Sequence, residues 1–121
     1  MADGMRGLAR LWRATKVSYW GLGYALRGEE AFQIEFAIFV LMAPLALWLG
    51  HSGLEKAVLL MSLVTVLITE LLNTGIEVAI DRIGKEFHEL SGRAKDVGSA
   101  AVHISLLQVP VIWGLVLFGG R

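Results

Sequence analysis

Four polar side chains with the capacity for chemistry are spaced along one otherwise largely apolar stretch, residues 68–81. On a helix that turns about 100° per residue, Glu70, Asn73, Glu77 and Asp81 lie at about 0°, −60°, −20° and +20°. They therefore share one stripe, roughly 80° wide. Ionisable groups within apolar spans are costly and usually functional. We expect this stripe to carry the chemistry of the protein.

The residue types along and around the stripe permit phosphoryl transfer. Glu70, partly removed from water, suits a general base acting on an alcohol, and Asn73 could orient it. Glu29 and Glu77 could supply the one or two carboxylates that Mg²⁺ takes when nucleotide phosphates and water complete its shell. Basic side chains could neutralise the phosphate charge: Arg10, Lys95 and Arg93.

Residue types alone leave a second class of function open. The sequence contains no G-x-x-x-x-G-K-[ST] phosphate loop and no H-R-D or D-F-G kinase element. Acidic residues inside spans also mark proton or cation translocation, so a small transporter or channel is an equal alternative at this point. Five other acidic and histidine residues are interpreted as solvated, turn or packing groups: Glu30, Glu55, Glu89, His51 and His103.

Composition indicates a membrane protein with one domain, residues 1–121. Hydrophobic residues make up 55% of the 121 residues and charged residues 18%, and the mean hydropathy is +0.62. A soluble domain of this size exposes too much surface for such a composition. The net charge is zero, which gives no reason to expect a nucleic-acid partner, and the absence of cysteine excludes disulfides and thiolate sites. No apolar segment precedes Ala31, so we expect no cleaved signal peptide.

The sequence predicts an all-α membrane fold with an amphipathic N-terminal surface helix, about 5–26, and three spans, about 31–49, 54–80 and 97–118. In the surface helix, apolar residues such as Leu8 and Trp12 oppose a basic face. Gly21, Gly23 and Gly28 are expected to loosen the chain before the first span. Gly50 to Gly53 should form a tight turn, and Arg82 to Asp96 a polar connection.

Basic residues predict the orientation of the spans. Nine fall on one side of a three-span chain: Arg6, Arg10, Arg13, Lys16, Arg27, Arg82, Lys85, Arg93 and Lys95. The other side carries Lys56 and Arg121. The positive-inside rule makes the nine-residue side cytoplasmic, so the N-terminus is expected inside and the C-terminus outside.

Two further patterns concern packing. Small residues at Ala94, Gly98, Ala101 and Ser105 give a spacing that allows close contact between helices. The tryptophans are interpreted as anchors in the interfacial aromatic belts: Trp12, Trp20, Trp48 and Trp113.

The stretch E-x-x-N-x-x-x-E-x-x-x-D-R from Glu70, followed by E-F-H-E-L-S-G-R-A-K-D-V-G-S-A-A from Glu86, resembles the bacterial integral-membrane diacylglycerol kinase family. The resemblance extends to A-F-x-x-E from Ala31, the three spans and the chain length. It implies a homotrimer in the bacterial inner membrane, with active sites at subunit contacts. It also implies an ATP- and Mg²⁺-dependent enzyme that phosphorylates diacylglycerol to phosphatidic acid. Undecaprenol is the alternative lipid on the same scaffold.

The resemblance also implies roles for individual residues. Glu70 is the expected general base, Asn73 and Asp81 support the polar cluster, and Glu29 and Glu77 are the expected Mg²⁺ ligands. The expected ATP contacts, beside those two carboxylates, are Arg10, Glu86, Phe87, His88, Lys95 and Asp96. The positions expected near the lipid, beside Glu70 and Arg10, are Ser18, Ala31, Phe32, Glu35, Trp48, Ser99 and Trp113. The sequence departs from the family pattern at Val17, where tyrosine is common, and at Gln33, Ile34, Lys56, His103, Gln108 and Pro110.

Overall fold

A computed structural model describes residues 2–120, and these form four helices. Helix α1 covers Ala2–Gly28, α2 Glu30–Leu49, α3 Gly53–Ile83 and α4 Glu89–Phe118. Three of them, α2, α3 and α4, are long and apolar enough to cross a membrane, which confirms the predicted all-α class and the three candidate spans. Arg121, counted above on the outer side, lies outside the described residues.

Helix α1 differs from its prediction at its C-terminal half. The helix continues through Gly21 and Gly23 and ends at Gly28, so these two internal glycines do not loosen the chain as expected. A glycine in a helix interior costs about 1 kcal/mol relative to alanine. Tertiary packing offsets that cost, because α1 contacts both α2 and α3 and Ala25 is almost completely buried. The amphipathic surface role of α1 stays a prediction.

The polar connection between α3 and α4 is shorter than predicted. Only residues 84–88 are non-helical, since Arg82 belongs to the last turn of α3 and Glu89 to Asp96 form the first turns of α4. The 31 residues of α3 span about 46 Å, well beyond a hydrocarbon thickness of about 30 Å. Helical turns beyond the hydrocarbon face water and carry polar residues, which is why their composition indicated a loop.

A tight turn joins α2 to α3, as predicted. The Ser52 side chain accepts a hydrogen bond from the Glu55 backbone N–H at 3.1 Å, and the His51 N–H donates to Glu55 Oε1 at 2.8 Å. This reciprocal arrangement is close to a capping box. Glu55 is therefore a capping group rather than a solvated charge. Gly50 is required here, because a Cβ on it would lie 2.9 Å from the Lys56 backbone nitrogen.

The core lies in the half of the bundle that contains this turn. Ala46, Leu59, Leu63 and Trp113 form its buried centre and join α2, α3 and α4. The interpretation of Trp113 as a belt anchor is wrong. Its ring is buried because the indole Nε1 has a partner inside the bundle, donating to Ser62 Oγ at 2.9 Å.

Gln108, one of the departures from the family pattern, completes the contact between α3 and α4. Its Nε2 donates to the Ser62 backbone carbonyl at 2.7 Å and to the Ser105 carbonyl at 2.8 Å. Inside a bilayer, side-chain hydrogen bonds of this kind add to van der Waals packing in holding helices together. We call Ser62, Gln108 and Trp113 the α3–α4 clasp.

Replacing Ser62 by alanine should destabilise the protein by about 1 kcal/mol, because the buried Trp113 N–H loses its acceptor. Thermal unfolding in detergent micelles measures this change. Thr65→Ala is the matched control, since the Thr65 hydroxyl is exposed and donates to the Met61 carbonyl of its own helix. Equal midpoints for the two variants would show that the Ser62–Trp113 bond adds no stability.

Candidate active site

The predicted stripe exists on α3, and its burial decreases toward the C-terminal end of that helix. Glu70 is 6% exposed and Asn73 is 7% exposed. Glu77 is half-buried and Asp81 is exposed. Asn73 Nδ2 donates a hydrogen bond to Glu77 Oε1 at 3.2 Å, while Asn73 Oδ1 is buried and has no hydrogen-bond partner among residues 2–120. The amide therefore orients the Glu77 carboxylate.

Three carboxylates lie within electrostatic range of Glu70: Glu77 on the same helix, Glu35 on α2, and Glu29 in the junction between α1 and α2. We call Glu29, Glu35, Glu70 and Glu77 the acidic cluster. Over residues 2–120, no lysine or arginine forms an ion pair with any of the four. Uncompensated negative charge beside apolar helices favours a cation from outside the chain.

Glu29 reaches the cluster from the break between α1 and α2. It is the N-cap residue of α2, and its side chain makes no capping hydrogen bond. The backbone bridges the break, because the Glu29 N–H donates to the Ala25 carbonyl and the Gln33 N–H donates to the Glu29 carbonyl, each at 3.0 Å. Gln33 Nε2 also donates to the Leu26 carbonyl at 2.9 Å, so one backbone carbonyl near the C-terminal end of α1 has a hydrogen-bond partner. The Glu29 carboxylate is thus not used by the cap.

Glu35 lies less than two turns further along α2. Its Oε2 is buried and has no hydrogen-bond partner in the described part of the chain. The side chain borders an apolar cavity of about 160 Å³, whose other walls include Leu63 and Val66 of α3. An unpaired carboxylate oxygen beside apolar walls is unfavourable unless a donor reaches it. Glu35 is therefore placed to receive a hydroxyl or another donor from outside the chain.

A cavity of about 440 Å³ opens where α3 is connected to α4. We call it the loop cavity. It is lined by five of the predicted site residues, Asp81, Glu86, Phe87, His88 and Lys95. Asp96 does not line it. The loop cavity combines both signs of charge with an exposed aromatic ring, the groups that recognise a charged planar ligand.

Two short-range interactions organise the wall of the loop cavity. Lys95 Nζ lies 2.9 Å from Asp81 Oδ1, so this exposed ion pair joins the start of α4 to the end of α3. His88 is the N-cap of α4, and its Nδ1 accepts a hydrogen bond from the Leu90 N–H at 3.1 Å. The other imidazole nitrogen, Nε2, then carries the proton of the neutral ring and can donate to a ligand. Arg93 pairs with Glu89 at 2.6 Å on the exposed surface.

The positions expected near the lipid do not form one cluster within the described chain. Ala31, Phe32 and Glu35 lie on the first turns of α2, close to Glu29, and Phe32 is completely buried with its ring 6.1 Å from that of Phe36. Ser18 borders a cavity of about 550 Å³ between α1 and α3. The others lie apart: Arg10 is exposed on α1, Ser99 is exposed on α4, and Trp48 and Trp113 are at the opposite end of the bundle.

The acidic cluster could supply only some of the ligands that a metal ion needs. Within residues 2–120, no group of three or more His, Asp or Glu side chains could hold a metal ion by itself. Two carboxylates, Glu29 and Glu77, suit a Mg²⁺ ion that keeps its waters and takes further oxygens from phosphates. A cation at these two carboxylates would take its further ligands from outside residues 2–120.

Gly98 lies beside the site, but the sequence analysis assigned it no role in the site. It is buried on α4, and a Cβ at this position would overlap Asn73 Oδ1. The small-residue spacing of α4 predicted close helix contact there, but nothing in the sequence indicated that the contact falls on Asn73. The clasp residue Gln108 was likewise visible only as a departure from a pattern.

Comparison with known proteins shows which protein family the chain is similar to. The model of the prokaryotic diacylglycerol kinase family matches residues 16–117. The diacylglycerol kinase of Haemophilus influenzae is 45% identical over 112 residues, which cover 93% of this chain and 95% of that protein. The diacylglycerol kinase of Escherichia coli K12 is 41% identical over 118 residues, 98% of this chain and 97% of the relative. The diacylglycerol kinase of Pseudomonas aeruginosa is 40% identical over 116 residues, 96% and 94% of the two chains.

Proposed function

Because the chain belongs to the prokaryotic diacylglycerol kinase family, we propose that it transfers the γ-phosphoryl group of ATP to the hydroxyl of diacylglycerol. The products are phosphatidic acid and ADP. The observation that carries the proposal is the burial of Glu70 on α3, less than three helical turns from residues that line the loop cavity. An apolar alcohol and a charged nucleotide can then meet along a single helix.

Glu70 is the proposed general base. Its carboxylate takes the proton of the lipid hydroxyl while that oxygen forms a bond to the γ-phosphorus of ATP. The bond between the γ-phosphorus and the β–γ bridging oxygen breaks, and the electron pair leaves with ADP. Glu70 is 6% exposed, so its carboxylate is largely shielded from bulk water. Asn73 and Asp81 support the base and its neighbours along the stripe.

The loop cavity is the proposed nucleotide site. Lys95 and the Nε2 of His88 offer donors for phosphate or ribose oxygens, and Phe87, 93% exposed, offers a ring face to the adenine. Glu86, Asp96 and Arg10 are proposed to complete the contacts to ATP. Binding must compete with the Asp81–Lys95 ion pair, and this pair is exposed, so little free energy opposes its exchange for phosphate.

Mg²⁺ is the proposed metal, held by Glu29 and Glu77 together with phosphate oxygens of the nucleotide. When bound, it would neutralise the charge that develops on the transferred phosphoryl group. The proposal is supported by the absence of an ion pair on either carboxylate within residues 2–120. It is also supported by the hydrogen bond that Asn73 donates to Glu77.

The lipid is proposed to lie against α2 and the apolar faces of the bundle, with its hydroxyl at Glu70. Glu35 Oε2, buried and without a hydrogen-bond partner in residues 2–120, could accept a hydrogen bond from the lipid hydroxyl. The remaining lipid contacts proposed from the family pattern are Arg10, Ser18, Ala31, Trp48 and Ser99. Phe32 and Trp113 belong to the same pattern, but both are buried within the bundle and are not proposed as direct contacts. A homotrimer with shared sites is part of the same proposal and is carried over from the family pattern.

We further propose that the protein lies in the bacterial inner membrane, with α1 on the cytoplasmic surface. The acidic cluster, the loop cavity and nine of the basic residues then share the cytoplasmic side, where ATP is available. The turn between α2 and α3 and the C-terminus lie on the outer side.

The first test is a transfer assay with the purified full-length protein in detergent, labelled ATP, Mg²⁺, diacylglycerol and undecaprenol together. Labelled phosphatidic acid is the expected product. Labelled undecaprenyl phosphate in its place would reassign the lipid, and the absence of any labelled lipid would favour translocation over phosphorylation. The same mixture with a metal chelator is the control for the Mg²⁺ requirement.

Glu70→Gln should reduce turnover by about 10²- to 10⁴-fold, the contribution typical of a general base, while ATP binding is largely retained. The amide keeps the shape of the side chain but cannot accept the proton. Transfer rate and ATP affinity are measured on the same preparation. Glu30→Gln is the matched control, because Glu30 is exposed at the start of α2 and should retain activity. Turnover of the Glu70 variant close to wild type would remove Glu70 from the role of base.

Single cysteines should report the orientation, since the natural chain contains none. His51→Cys in the turn between α2 and α3 should react with a membrane-impermeant maleimide in intact spheroplasts. Lys85→Cys in the connection between α3 and α4 should react only in inside-out vesicles. Both native positions are exposed, so protection reflects the membrane and not burial. Labelling of both positions from one side would contradict the three-span topology.

A further inference from the structure

Gly98 lies where α4 packs against the functional stripe of α3. It is buried, and a Cβ added to it would overlap Asn73 Oδ1 and lie 3.3 Å from Asn73 Cγ. Elsewhere on the same helix, at Gly114, a Cβ would meet no atom within 4 Å. The requirement for glycine at position 98 is therefore tied to one neighbouring side chain, Asn73.

The two ends of the Asn73 amide have different environments. The nitrogen donates to Glu77 Oε1 at 3.2 Å, whereas the oxygen is buried and accepts no hydrogen bond from residues 2–120. Turning the amide around would point its oxygen at the Glu77 carboxylate, and two acceptors repel each other. The nitrogen must face Glu77, so the oxygen must occupy the space that Gly98 leaves open.

We propose that Gly98 is a positioning residue, which acts through Asn73 to hold the Glu77 carboxylate in the orientation that receives the divalent cation. This inference rests on the proposed function, in which Glu77 is a Mg²⁺ ligand. The path runs from α4 to α3 through a steric contact and then along α3 through one hydrogen bond. Partners that orient a metal ligand typically change metal affinity by roughly 10- to 100-fold when they are altered.

Adding a methyl group at Gly98 should affect the site more than the fold, because the atom that has to move belongs to a side chain and not to the backbone. Asn73 Oδ1 is the tip of a rotatable side chain, so a methyl group at position 98 displaces the amide and leaves the two helix backbones in place. The displaced amide can no longer donate to Glu77 with good geometry. The expected consequence of Gly98→Ala is thus a folded protein with a less well oriented carboxylate.

The test measures Mg²⁺-dependent ATP binding to the full-length protein in detergent by titration calorimetry, without lipid. Gly98→Ala should raise the Mg²⁺ concentration needed for half-maximal ATP binding by about tenfold. Its thermal unfolding midpoint should stay close to that of the wild type. Gly114→Ala, the same change on the same helix in open space, should bind like the wild type.

A double variant separates positioning from general packing. Asn73→Ala should raise the Mg²⁺ requirement by itself, and Gly98→Ala should add nothing further in that background, because the amide it displaces is gone. The proposal is overturned if Gly98→Ala leaves the Mg²⁺ requirement unchanged. It is equally overturned if the change multiplies that requirement by the same factor with and without Asn73, or if the Gly98→Ala protein does not fold.

The proposed function and this inference can fail separately. A wild-type protein that transfers no label to any lipid contradicts the proposed kinase activity, whatever the binding data show. A wild-type protein that phosphorylates lipid while Gly98→Ala binds Mg²⁺ and ATP normally contradicts the positioning role alone.

Discussion

The free-energy cost of keeping carboxylates inside an apolar helix is the constraint on which the rest of the structure depends. Glu70 and Asn73 are buried on α3, in a segment composed otherwise almost entirely of apolar residues. Such groups persist only where neighbouring elements enclose them and supply partners. Asn73 has such a partner in Glu77, and α4 leaves room for its amide at Gly98, whereas Glu29 and Glu35 add further negative charge near Glu70. Helices α2 and α4 both pack against α3, where Glu70 and Asn73 are buried.

Helix α4 achieves this with contacts at two heights. Near the acidic cluster Gly98 leaves room for the Asn73 amide, and ten residues later, about 15 Å along the axis, Gln108 donates to the Ser62 carbonyl. A shift of α4 by one residue would rotate its side chains by about 100° and remove both contacts at once. The clasp in the distant half thus fixes the register that the site requires.

The sequence predicted the elements whose physical signal is periodic. The stripe from Glu70 to Asp81, the three spans and the turn at Gly50 all appear in the structure, because helix periodicity and hydropathy act locally. The connection between α3 and α4 was predicted too long, since polar composition does not distinguish a loop from exposed helical turns. Gly21 and Gly23 were expected to loosen α1, but packing against α2 and α3 outweighs helix propensity.

The contacts that define the site geometry were beyond such reasoning. Gly98 contacts Asn73, and Trp113 contacts Ser62, because α4 has a particular rotation about its own axis relative to α3. No short pattern in a single sequence indicates that rotation. The tryptophan illustrates the limit, since its position near the end of a span suggested the interface and its indole N–H instead found a buried acceptor.

The Asp81–Lys95 pair and the α3–α4 clasp connect the same two helices through different interactions. Dissolved salt therefore affects the two contacts differently. The clasp consists of neutral hydrogen bonds, whereas the pair beside the loop cavity is an exposed contact between full charges. Dissolved salt screens exposed charges over about 10 Å at 0.1 M and has little effect on buried neutral bonds. The ionic strength of the surrounding solution therefore changes the strength of the contact at one end of the α3–α4 interface and has little effect on the other.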